Sequence, residues 1–209
     1  MKSEDLAHWY FRLNGFFTLP NFVLHPREKG GQRTDVDVAG IRFPGRREFA
    51  TGNGEIDDPE FSKSGDRLYA VFAEIKTSRA SPNRAWLDPN RRNLDDLLGA
   101  LGIFGAPECG LAAEGLRTSG TYENGMIYCS LFLIGETLED VGAGLALVPH
   151  RTWDALLRFI YRRFVNYDHL KTDTEQWDEA GRALLGFMGK RSESAFISAA
   201  RRAFHLPIC

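Results

Sequence analysis

Two apolar segments carry charged residues at positions where charge is costly. In Leu68 to Ser78, LYAVFAEIKTS, the alternation puts Leu68, Ala70 and Phe72 on one face and Tyr69, Val71, Ala73 and Ile75 on the other, so both faces read as buried. Glu74 and Lys76 continue the first face, and charges at the end of a buried strand must be paired or bind something. A second segment, RTDVDVAGI, sets Asp35 and Asp37 on one face, opposite Val36 and Val38. If the two segments pair antiparallel with Phe43 opposite Leu68, Asp37 stands opposite Glu74. Directly opposed side chains have Cβ atoms about 4.5 to 5.5 Å apart, close enough for two carboxylates to grip one hard cation such as Mg²⁺. Lys76 lies on the same face, one pleat away. The plainer reading of these residues is a structural ion-pair cluster.

The surrounding pattern gives the elements that must position them. Ser3 to Asn14 reads as a helix capped by Ser3, with Leu6, Tyr10 and Leu13 at helical spacing and Gly15 as terminator. Phe16 to His25 reads as a strand that Pro20 confines to a sheet edge or a bulge, followed by strands at Gln32 to Phe43 and Leu68 to Ser78. Between these last two, residues 44 to 67 carry Pro44, Gly45, Gly52, Gly54, Pro59 and Gly65, an unusually long hairpin connection. Asn93 is expected to cap a helix to about Phe104, and residues 105 to 125 read as a glycine-rich connection. Met126 to Ile134 reads as a buried strand and Leu145 to Val148 as a short one. Helices are expected from Thr152 to Asn166, at 174 to 188 and at 192 to 204. The order is helix, three strands, helix, strand, with a mainly helical extension over 135 to 209, within a single α/β domain of 1 to 209.

At these residues the sequence resembles the PD-(D/E)XK nuclease superfamily of restriction endonucleases, Holliday junction resolvases and RecB-type nucleases. The resemblance rests on Asp37, on Glu74-x-Lys76 and on the element order, and covers residues 1 to 134 with 44 to 67 as an insertion. It touches Glu4, eleven residues before Gly15, where several branches of the superfamily carry a metal-site glutamate. Two features depart from the family pattern: no proline precedes Asp37, and the separation of Asp37 from Glu74 exceeds the usual short hairpin. The resemblance implies a restriction endonuclease-like core and Mg²⁺-dependent hydrolysis of phosphodiester bonds, with Mn²⁺ able to substitute and DNA favoured over RNA. It also implies that Asp37, Glu74, the backbone carbonyl of Ile75 and Glu4 hold the metal, and that Lys76 orients or deprotonates the attacking water. The alternative is an inactive module of the same fold that serves nucleic-acid binding or protein assembly.

Arg79, Arg84, Arg91 and Arg92 follow the third strand against one acid, Asp88, and surround Trp86. Four cations suit a phosphate backbone and an indole can stack on a base, while the other reading is a solvated loop with a buried anchor. The insertion at 44 to 67, about 20 Å from the paired acids along the hairpin, is read as the surface for a second copy or a protein partner. Composition sets the outer bounds. In 209 residues, 43% hydrophobic and 26% charged residues with a net charge of -2 fit one folded domain and exclude disorder, collagen-like repeats and a small disulfide scaffold. Three dispersed cysteines and no stretch near 20 apolar residues point to a cytoplasmic protein without a membrane span. Nucleophile-elbow, zinc-protease and dinucleotide-binding motifs are absent.

Overall fold

Period-two burial on both faces of a strand requires helices on both sides of the sheet, and the chain supplies them. The computed structural model describes residues 1–25, 32–47, 57–138, 145, 148–171, 178–189 and 192–208. Helix α1 (Ser3–Leu13) leads into β1 (Phe17–Leu24) and β2 (Thr34–Arg42), and a 3-10 helix (Pro59–Ser64) precedes β3 (Leu68–Ile75). After β4 (Arg79–Ala80) come α2 (Arg84–Leu87), α3 (Asn93–Leu101), α4 (Ala106–Ser119), β5 (Thr121–Glu123), β6 (Ile127–Gly135) and β7 (Thr137–Leu138). The chain closes with β8 (His150–Thr152), α5 (Trp153–Lys171), α6 (Glu179–Met188) and α7 (Glu193–Ala203).

The result is a mixed α/β fold with a six-stranded sheet in the order β1-β2-β3-β6-β5, where β8 also pairs with β6. Strand β3 is central, antiparallel to β2 and parallel to β6. One core holds Tyr69, Val71, Ala73 and Ile75 of β3 against Leu6 and Tyr10 of α1, Leu156 and Ile160 of α5 and Phe196 of α7. The other holds Ala70 and Phe72 against Leu94 and Leu97 of α3 and Ala112 and Leu116 of α4. Both faces of β3 are thus covered, as its composition required. Strand β1 is an edge, which accommodates Pro20.

Several local expectations differ from the structure for identifiable reasons. Ser3 is the first helical residue rather than the cap: Lys2 occupies that position, and the Asp5 carboxylate accepts from the Lys2 N–H at 2.8 Å. Arg92, at φ 53°, precedes α3, while Asn93 is buried and donates to Ala85 O at 3.0 Å. Residues 105 to 125 contain the 14-residue helix α4. There Gly105 and Pro107 start a helix instead of ending one, and Gly115 admits the returning chain, since a Cβ on it would lie 2.9 Å from Thr121 O. The strand expected at Leu145 to Val148 lies partly outside the described residues, and the described strand beside this end of β6 is β8.

The described part of the insertion packs into the core. Residues 48 to 56 lie outside the described residues. Further on, Phe61 is fully buried among Tyr10, Phe11, Phe16 and Phe132. Asp58 caps the 3-10 helix through Glu60 N, accepts from Tyr10 Oη at 2.8 Å and forms a two-pronged ion pair with Arg151 of β8. Burial alone would raise the Asp58 pKa, but the bonds from Arg151 and the Glu60 amide more than reverse this and leave it lowered. Asp58→Ala should therefore cost about 3 kcal/mol, because it strands a largely buried guanidinium. Chemical denaturation at pH 7 measures that loss. The wild-type advantage should fade as acid protonates Asp58, because a carboxyl with a depressed folded-state pKa stabilises only while ionised.

Candidate active site

The β2–β3 register is Val38↔Ala73 through Arg42↔Tyr69, and its extension by one residue sets Asp37 opposite Glu74. The regular pairing stops there. Instead of bonding to the β2 backbone, the Ile75 N–H donates to Asp37 Oδ2 at 2.7 Å. The two-residue alternation of β2 breaks at the same place: Val38 lies in the α1 core, whereas Val36 packs with Phe72 in the α3 core. Val36 and Val38 therefore do not share a face, contrary to the expected pattern. Across β1, the residue in register with Asp37 is Asn21, which adopts φ 50°. The site is a fork where β2 diverges from β3, with the Asp37 carboxylate bridging the gap.

Glu74 shares the face of Phe72 by alternation and is only 6% exposed. Its Oε1 accepts from Lys76 Nζ at 2.5 Å, and the lysine side chain remains 43% exposed. Burial raises the Glu74 pKa to about 7, and the charges of Asp37 and Asp35 add to this while Lys76 opposes it. Asp37 is also raised by burial, with Glu4 and Asp35 contributing, against the lowering effects of the Ile75 amide and Lys76. Lys76 loses basicity through burial but regains more from its bond to Glu74, so its pKa is raised on balance. It is an ammonium at neutral pH. That state suits holding a water or a phosphate oxygen, rather than removing a proton.

A buried acid, Glu74, and a half-buried one, Asp37, facing one lysine among the described residues form an incompletely neutralised pair. Their oxygens, with the nearby backbone carbonyl of Ile75, make a hard donor set of the kind Mg²⁺ accepts while keeping several of its waters. Among the described residues, no group of three or more His, Cys, Asp or Glu side chains stands in a metal-holding arrangement. Glu4 thus does not join Asp37 and Glu74. It lies on α1, which packs against the face of the sheet opposite Glu74, and it accepts a bond from its neighbour Ser3 at 3.0 Å. Its influence on Asp37 is electrostatic.

The arginine segment divides. Trp86 is 1% exposed, packs with Leu94 and Leu97, and donates from Nε1 to Thr34 Oγ1 at 3.1 Å. It anchors α2 to β2 and has no face free for a base, so the stacking role expected of it is overturned. Arg79, Arg84, Arg91 and Arg92 are all exposed. Arg91 pairs with Asp88 at 3.3 Å and Arg92 with Asp95 at 3.6 Å, while Arg79 and Arg84 have no ion pair among the described residues. Asp95, at the start of α3, is an acid that the sequence count around Trp86 did not weigh.

Compared with known proteins, the chain matches no family model, no curated protein and no solved structure. Among the described residues, no helix is long and apolar enough to cross a membrane.

The raised Glu74 pKa makes a signed prediction. An acid that protonates more readily when folded costs stability above its folded-state pKa, and this cost declines as pH falls from about 7 toward the unfolded value. Glu74→Gln should therefore raise the melting temperature by several degrees at pH 8 in the absence of divalent metal. Near pH 5 the variant and wild type should coincide. Thermal scans at the two pH values test this, and equal shifts at both would contradict it.

Proposed function

We propose that this chain is a metal-dependent nuclease with a restriction endonuclease-like core, hydrolysing phosphodiester bonds by the PD-(D/E)XK mechanism. The observation that carries this reading is the pairing of β2 with β3 in the one register that puts Asp37 beside Glu74, with Lys76 bonded to Glu74 at the end of the buried strand. Support also comes from the order of α1, three antiparallel strands, the helices α3 and α4 and the parallel strand β6, which resembles the superfamily's helix, three strands, helix, strand with α4 as an added helix.

In this reading Asp37, Glu74 and the carbonyl of Ile75 hold Mg²⁺. The metal, when bound, lowers the pKa of a coordinated water and stabilises charge on phosphoryl oxygens. Lys76 orients the water and offsets charge on the phosphate as an ammonium. With a metal held there, Lys76 would no longer have to serve as the acids' counterion. Arg79 and Arg84, exposed and without ion pairs among the described residues, are the strongest candidates for backbone phosphate contacts, with Arg91 and Arg92 weaker because each already has a carboxylate partner. DNA is favoured as substrate on the resemblance alone.

The test is Mg²⁺-dependent cleavage of single-stranded, duplex and branched DNA and of RNA. Lys76→Ala should lower turnover by about 10²-fold or more while preserving the fold and nucleic-acid binding. Asp37→Asn should remove activity and Asp35→Asn should leave a measurable fraction, because only Asp37 bridges the fork. Wild-type turnover in Lys76→Ala, or no cleavage of any substrate with either Mg²⁺ or Mn²⁺, would sink the reading. Separately, Arg84→Glu should weaken binding and lower the slope of log affinity against log salt more than Arg91→Glu does. Fluorescence titrations across a range of salt concentrations measure the difference.

A further inference from the structure

Lys76 lies one residue beyond the end of β3, where pairing with β2 has already stopped, and yet its backbone is held on both sides. Its N–H donates to Ile134 O of β6 at 2.9 Å. Its carbonyl accepts from Nε1 of Trp153 at 3.0 Å. Trp153 is fully buried as the first residue of α5, and the pairing of β8 with β6, Gly135↔Thr152, delivers it there. Tryptophan suits this place because its indole fills an apolar core while carrying one donor and no acceptor.

The chain immediately after Lys76 is held as well. Ser78 O accepts from Glu136 N at 2.5 Å, and a Cβ on Gly135 would lie 2.6 Å from Ala80 N. Only glycine lets β6 approach the crossing chain this closely.

We propose that Trp153 is a positioning residue for Lys76: by fixing the Lys76 carbonyl it sets the backbone torsion that aims the ammonium at Glu74 and at the scissile phosphate. The proposal rests on the nuclease reading and deepens it, because it gives α5, which lies outside the segment resembling the nuclease core, a part in the chemistry. A reacting group displaced by about 1 Å can lose about 10²-fold in rate, so a lysine at a strand terminus needs such an anchor.

The experiment uses the full chain with Trp153→Phe, which removes the donor and keeps a ring. Leu156→Ala, in the same core one turn along α5, controls for lost packing. Turnover and KM are measured with Mg²⁺ and nucleic acid, and the labelling of Lys76 by an amine-acylating reagent is followed by mass spectrometry without metal or substrate. Trp153→Phe should lower kcat by roughly 10- to 100-fold with KM within about twofold, and labelling of Lys76 should accelerate as its amine leaves Glu74. Leu156→Ala should lose stability with kcat and labelling close to wild type. Gly135→Ala presses on Ala80 of the chain that follows Lys76 and on the Gly135↔Thr152 pair that delivers Trp153, and should repeat the Trp153→Phe pattern, which keeps the test decisive if the phenylalanine variant does not fold. Wild-type kcat and labelling in whichever of these two variants folds would overturn the proposal, as would equal effects in Leu156→Ala. If the wild type cleaves nothing, the nuclease reading fails, while unchanged labelling in the variants separately overturns the positioning role.

Discussion

The candidate site depends on one hydrogen bond, from the amide of Ile75 to the carboxylate of Asp37. A backbone donor next to a buried strand cannot go unpaired without a penalty of about 1–3 kcal/mol, and once β2 diverges its backbone no longer supplies an acceptor. The Asp37 side chain takes over. It thereby closes the ladder, holds the strands apart and comes to rest beside Glu74. Replacing a ladder bond with a carboxylate leaves an acid half-buried at a strand fork, where its own pKa and that of Glu74 are both raised.

That arrangement explains the chemistry of Lys76. The Lys76 ammonium, among Asp35, Asp37 and Glu74, is held in its charged form, bonded to the most buried of the three. Its one charge cannot satisfy both strand acids, so the fork carries an electrostatic cost. Gathering like charges raises both acids' pKa values at a cost in stability. The cost is borne by the rest of the molecule, in which aromatic packing around Phe61 and the Asp58–Arg151 pair tie the insertion and β8 to the α1 face.

Much of the site was legible in the sequence because strands have a strict period and a buried strand admits few registers. A slip of one residue between β2 and β3 would turn every side chain to the wrong face, so the apolar pattern of VAGI against LYAVF was enough to pair Asp37 with Glu74. Pro20 on an edge strand and Gly15 after α1 were equally readable, since each is a backbone constraint carried by one residue. Glycines gave a poorer guide. Gly105, Gly110 and Gly115 suggested a loop where α4 forms, because a glycine selected for close approach and one selected for a turn are the same letter.

By itself, then, the sequence determined the α/β class, the central strand buried on both faces and the juxtaposition of the two acids, all consequences of local periodicity. Tertiary structure alone decided what the surrounding residues do. It buried Trp86 as an anchor of α2 against β2. It also kept Glu4 out of the carboxylate group and brought Trp153 from 77 positions away to the carbonyl of Lys76. Each of these depends on which helix packs over which strand, a relation between distant segments that no local pattern encodes.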